Sequence, residues 1–140
     1  MDQHEDKQAT QSGKRAWARY ILLALIIEKI IQHVVVTIAL EVNLGGIRST
    51  VAVNPDLLMV AGAAVGALFA LSLWGMLTRR RWAVNLVIAL ALFDMLGEFV
   101  AQGRLDIVIT VSFLVATTLL ILALRYRRQL DRRALGDGIH

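Results

Sequence analysis

Residues 17–40 read WARYILLALIIEKIIQHVVVTIAL, an apolar run interrupted near its middle by Glu28, Lys29, Gln32 and His33. A hydrocarbon core about 30 Å thick is crossed by roughly 20 helical residues at about 1.5 Å each, so this stretch predicts a membrane-spanning helix that carries charge at its centre. A cleavable signal peptide is a poorer reading, because its apolar region is about 7 to 15 residues long and ends at a small-x-small site. Here the run continues through the charged pair to Leu40 with no such site before Glu41, so the segment is expected to be retained.

Working outward, three more runs of spanning length follow, from Leu57 to Leu77, Trp82 to Val100 and Ile107 to Leu124. The chain has 140 residues, of which 57% are apolar, more than the roughly one half that a soluble domain carries. Its charged residues, 19% of the total, gather in short clusters between the runs. The expected fold is an all-α membrane protein, with four transmembrane helices at about 17–40, 57–77, 82–101 and 106–125 in an up-down bundle. A polar tail over 1–15 and a basic tail over 126–140 flank this domain, the first structureless by composition and the second prolonging the last helix along the membrane surface.

Basic residues set the expected orientation. Lys7, Lys14, Arg15 and Arg19 accompany the start of the first run, Arg79, Arg80 and Arg81 join the second to the third, and Arg125, Arg127, Arg128, Arg132 and Arg133 follow the fourth. The opposite loops hold only Arg48 and Arg104. The positive-inside rule therefore places both termini in the cytoplasm of a multi-pass plasma-membrane protein. Trp17, Tyr20, Trp74, Trp82 and Tyr126 all fall at the same ends, as an interfacial aromatic belt would. The lipid bilayer, rather than nucleic acid, is the expected partner. Arg79, Arg80, Arg81, Arg125, Arg127 and Arg128 form the membrane-surface basic set, and anionic lipid at the basic tail would gain about 1 kcal/mol per basic residue.

Local signals punctuate the loops. Asn54, Pro55 and Asp56 read as N-cap, first-turn proline and helix-start acid of the second helix. Gly103 and Asp106 read as the end of the third helix and the cap of the fourth, and Gly45–Gly46 as the tip of a small hairpin.

The intramembrane polar residues form two stripes. At about 100° per residue, Glu28, Gln32, Lys29 and His33 fall at about 0°, 40°, 100° and 140°, one arc of the first helix. Asp94 and Glu98 lie about 40° apart on the third. Counting about 1.5 Å per residue from the segment midpoints places Glu28 and Lys29 at the midplane, Asp94 about 4 Å outward, His33 about 7 Å and Glu98 about 10 Å. Facing stripes would set His33 between Asp94 and Glu98, and Lys29 beside Asp94. Four ionised residues at such depth cost on the order of 10 kcal/mol if left to lipid, so they are expected to face protein, water or one another.

Four uses fit this cluster. A structural ion-pair network would join Lys29 to Asp94 and Glu98 to His33, leaving Glu28 over. A proton or small-cation translocation site would use Asp94 and Glu98 as acids, His33 as relay and Lys29 as counter-charge. A metal centre on His33, Asp94 and Glu98 is a weaker candidate, because neither helix shows Glu-x-x-His and a lysine lies within reach. A non-catalytic subunit or scaffold would dock its polar helix face, with Glu28 left over, on a membrane partner.

Gly62 and Gly66 form a G-x-x-x-G pair on the second helix, suited to close helix packing within the bundle or across a homodimer or larger membrane complex. Thr110, Ser112, Thr117 and Thr118 are expected to bond back to their own helix. The absence of cysteine excludes disulfides and thiol chemistry. No catalytic or cofactor motif points to an enzyme.

Overall fold

The computed structural model describes residues 3–102 and 110–136, with side chains for 17–101 and 110–132. Four helices account for nearly all of it: α1 (Gln3–Glu41), α2 (Pro55–Leu77), α3 (Arg81–Gln102) and α4 (Val111–Gly136). A 3-10 segment, Leu44–Ser49, lies between α1 and α2. Three stretches are long and apolar enough to cross a membrane: Trp17–Glu41, Pro55–Leu77 and Arg81–Ala101. The fourth helix falls short of that measure as described. Its uncharged part begins at Val111 and meets Arg125 after about four turns, followed by Arg127 and Arg128, while residues 107–109 of the expected run lie outside the described residues.

Several boundaries differ from the sequence expectation for physical reasons. The polar N-terminal tail is helical from Gln3, as the forward extension of a long helix through good helix formers such as Gln, Glu, Lys and Ala. Gly45 and Gly46 both adopt left-handed angles inside the 3-10 segment, so they build consecutive tight turns rather than a strand hairpin. The described part of the fourth helix begins at Val111, where the Thr110 hydroxyl accepts from the Phe113 amide at 3.1 Å as a cap, and the expected start at 106 lies outside the described residues. Gly103 and Asp106 lie outside the described residues. The second helix begins as its sequence predicts, with Pro55 in the first turn and the Asn54 side chain accepting from the Asp56 amide at 2.9 Å.

Helix α1 packs against α2 and α4, and α3 packs against the same two, so α1 and α3 meet diagonally across the middle. The buried apolar residues are gathered toward one end. Leu22 and Ile26 of α1, Phe69 of α2, Val84 and Val87 of α3 and Leu119 of α4 interlock at the end that also bears the α2–α3 turn. In lipid this packing gains dispersion rather than hydrophobic transfer energy, which makes close approach decisive. At Gly75 the approach is closest: a Cβ there would lie 2.7 Å from the Ala83 Cβ and 2.8 Å from the Trp82 ring. Arg19 fastens the same end, donating to the Met76 and Leu77 carbonyls at 3.3 Å.

The opposite end is closed by loop chemistry. Arg48 donates to the Leu40 carbonyl at 3.3 Å and pairs with Asp56, which ties the end of α1 to the start of α2. The Ala52 amide donates to the Ala101 carbonyl at 3.1 Å, so the α1–α2 connection also reaches the end of α3.

Candidate functional site

Lys29 is fully buried. Its ammonium carries three donors, and all three are used: Gln32 Oε1 at 3.0 Å, the Ser112 carbonyl at 3.0 Å and Ser112 Oγ at 2.9 Å. Asp94 Oδ2 lies 2.5 Å from the same nitrogen, off hydrogen-bond direction, as an ion-pair contact. On the other carboxylate oxygen, His33 Nε2 approaches Oδ1 to 3.4 Å, again without hydrogen-bond alignment. Asp94 is thus the hub where the stripes of α1 and α3 meet, with one oxygen toward a lysine and the other toward a histidine.

His33 is placed by α2. A Cβ at Gly66 would lie 3.1 Å from the His33 Cβ, and one at Gly62 would lie 3.3 Å from Thr37 Oγ1. The G-x-x-x-G pair therefore receives α1 within this chain. The imidazole also stacks on Phe69, with ring centroids 5.7 Å apart and planes 28° apart. The glycines bring the backbone close, and the phenylalanine fixes the ring's face.

Glu98 reaches the start of α4. The Thr110 hydroxyl, which caps α4, donates to Glu98 Oε1 at 2.9 Å, while the imidazole of His33 reaches Asp94. Among the described residues no group of three His, Cys, Asp or Glu is arranged to hold a metal. Of the weak metal candidates His33, Asp94 and Glu98, Asp94 is in contact with Lys29 and Glu98 accepts from Thr110. Glu28 lies beside the cluster, half-buried, and its Oε2 has no hydrogen-bond partner among the described residues.

A cavity of about 210 Å³ begins at this cluster and extends toward the α1–α2 connection. Gln32, His33, Asp94, Glu98 and Ser112 contribute its polar groups, while Val36, Leu40, Ile47, Leu58, Val65 and Phe93 form aliphatic and aromatic walls. The buried core closes the other end. The charged hub consequently has a route toward one face of the molecule and a packed seal toward the other.

Two residues of the site were not assignable from spacing. Ser112 and Thr110 belong to the hydroxyl-bearing start of α4, a composition common in membrane helices, and only their depth beside the acids distinguishes them from Thr117 and Thr118. Those two do bond back to their own helix, to the Phe113 and Leu114 carbonyls at 2.8 Å. Away from the site, Arg79, Arg80, Arg81, Arg125, Arg127 and Arg128 are exposed at the end bearing the α2–α3 turn. Arg127 lies 3.9 Å from Asp131 one turn on.

No family model, no curated protein and no solved structure matches this chain.

Proposed function

We propose that this is a multi-pass plasma-membrane protein with four crossings in an up-down bundle and both termini in the cytoplasm, and that its intramembrane cluster translocates or couples protons or small cations. The observation that carries the reading is Asp94, which meets Lys29 and His33 on its two oxygens at the inner end of a cavity. A proton arriving through that cavity finds an imidazole and a carboxylate side by side. Lys29 supplies the counter-charge that keeps Asp94 tolerable at mid-membrane depth, and Glu98 provides a second acid nearer the mouth. Protonating Asp94 would weaken its hold on Lys29, so proton arrival and rearrangement of α1 against α3 are coupled by charge.

The test is proton or cation flux in proteoliposomes under an imposed potential, followed with pH-sensitive and ion-sensitive dyes. Wild type is expected to carry flux, and Asp94→Asn with Glu98→Gln to lower it at least tenfold. Unchanged flux in that variant would sink the translocation reading.

A second reading is favoured by Glu28, a half-buried carboxylate left out of the Lys29–Asp94–His33 contacts, whose Oε2 has no hydrogen-bond partner among the described residues. In it the protein is a non-catalytic subunit or scaffold, in a homodimer or larger membrane complex, and the polar face of α1 that carries the half-buried Glu28 docks on the partner. A protein that stays monomeric in mild detergent and yields no partner on gentle pull-down would count against it. The exposed arginines of α4 would rest on anionic lipid in either case.

A further inference from the structure

The outer end of the cavity is walled by chain with few ties to the helices. Ile47 and Val51 of the α1–α2 connection line it there, beside Leu40 at the end of α1, Leu58 at the start of α2 and Ala101 at the end of α3. The 3-10 segment contains no buried residue, and Ile47 and Val51 are half-buried, so the connection stands apart from the packed core. Its ties are polar instead. Arg48 donates to the Leu40 carbonyl at 3.3 Å and pairs with Asp56, and the Ala52 amide donates to the Ala101 carbonyl at 3.1 Å. The Arg48 and Asp56 side chains are 33% and 66% exposed, so water and salt screen their attraction. Segments held by few buried contacts and by exposed bonds are the ones that open at low cost.

Within itself the connection is well bonded. The Asn43 side chain accepts from the Arg48 amide at 3.1 Å, and the Ser49 and Thr50 hydroxyls donate to the Gly46 and Ile47 carbonyls at 2.8 Å. Opening would leave these bonds in place, so residues 43–50 can move as a unit. Both junctions suit a hinge: Asn43 is left-handed where the unit leaves α1, with φ at 49°, and residues 51–54 have no regular structure before α2. Resting on the reading of Asp94 as the site that this cavity serves, we infer that the α1–α2 connection is a strap that gates the cavity. It covers the mouth while Arg48 is clasped to Asp56 and Leu40, and it swings aside to admit a proton carried by water, or a small cation, when the clasp opens.

Gly97 supplies the reporter. It lines the cavity three residues past Asp94, and a Cβ there would meet nothing within 4 Å, so Gly97→Cys places a thiol beside the site without displacing a neighbour, in a chain with no other cysteine. The full-length variant in lipid nanodiscs, with both faces open to solution, is labelled by a maleimide carrying a short neutral polyethylene glycol. A neutral probe is needed because removing Arg48 would itself alter the encounter rate of a charged one. Adding Arg48→Ala should speed labelling at least fivefold, and Asp56→Asn, which breaks the same pair from α2, should speed it several-fold. Exchanging the charges, Arg48→Asp with Asp56→Arg, should bring the rate back toward that of Gly97→Cys alone, which mere loss of packing would not do. Molar salt should speed labelling with the clasp intact and leave the Arg48→Ala rate nearly unchanged.

A Gly97→Cys thiol that reacts at one rate with the clasp present, removed or exchanged would overturn the inference, as would a thiol that never reacts. Ala123→Cys, fully buried at the opposite end, should stay unreactive with or without Arg48. Its labelling in Arg48→Ala would mean global loosening and would also overturn the strap. Circular dichroism and gel filtration confirm that each variant is folded, and a misfolded Arg48→Ala is replaced by Asp56→Asn. Flux in wild-type proteoliposomes is read separately. Strap-dependent labelling without flux removes the translocation reading and leaves the strap, whereas flux with strap-independent labelling does the reverse.

Discussion

Inside a membrane, Lys29 and Asp94 would each be costly alone and are tolerable together. Removing one partner of a buried pair strands the other, at a cost of about 3 to 5 kcal/mol, whereas removing both can be nearly neutral. Lys29→Met is therefore expected to lower stability by that order, and Lys29→Met with Asp94→Asn to recover most of the loss, as read by reversible unfolding in mixed micelles. A double variant no more stable than the single would show that the pair contributes nothing to the fold. Ser112 adds a condition that charge alone does not convey: its hydroxyl and carbonyl both receive Lys29, so the start of α4 helps to hold the lysine away from the cavity. The Lys29–Asp94 contact was legible from helical periodicity and depth, because both are properties of single helices. The diversion of Glu98 to Thr110 was not, because it depends on where the first turn of α4 lies beside α3.

Among the elements, the α2–α3 turn shows how a helix stop serves two demands. The Arg80 amide donates to the Gly75 carbonyl at 2.8 Å and the Arg79 amide to the Met76 carbonyl at 3.2 Å, the paired bonds of a Schellman motif. The position that normally takes glycine is Arg79, with φ at 57°. A side chain in the left-handed region costs about 1 to 2 kcal/mol, so the chain retains a positive charge there at the expense of turn stability. Arg79→Gly is expected to stabilise the purified protein by about 1 kcal/mol, measured as a raised unfolding midpoint in detergent; a lowered midpoint would mean that the guanidinium contributes more than the backbone strain takes away. A serial reading of residues identifies Arg79 as basic and interfacial. Its left-handed conformation is seen only in the folded turn, where Gly75 lies against Ala83.

For the whole molecule, the asymmetry between its ends is the dominant feature. The interlocked core, the exposed arginines and the tryptophan pair Trp74–Trp82, with centroids 6.5 Å apart, share one end. The cavity and the Arg48–Asp56 clasp share the other. The proposed topology puts the cavity mouth outside the cell, and a chain without cysteine allows a clean test. Ala52→Cys, exposed in the α1–α2 connection, should react with a membrane-impermeant maleimide on intact cells. Gln129→Cys, exposed near the end of α4, should react only after permeabilisation. The reverse pattern would place the mouth, and the loading of the site, in the cytoplasm.

By itself the sequence determined that this chain is helical, that it carries runs long and apolar enough for a membrane, of which three described helices keep that character, and that its charges within those runs lie in two stripes. These follow from run length against bilayer thickness and from the 3.6-residue period, both local to a segment. Tertiary structure decided which acid meets which base, that Gly62 and Gly66 receive α1 of the same chain, and that space remains beside Asp94. Partner choice and empty volume depend on the rotation and separation of helices distant in sequence. In this protein those are set by a few close contacts, His33 on Gly66, Ala83 on Gly75 and Lys29 on Ser112, that no single segment encodes.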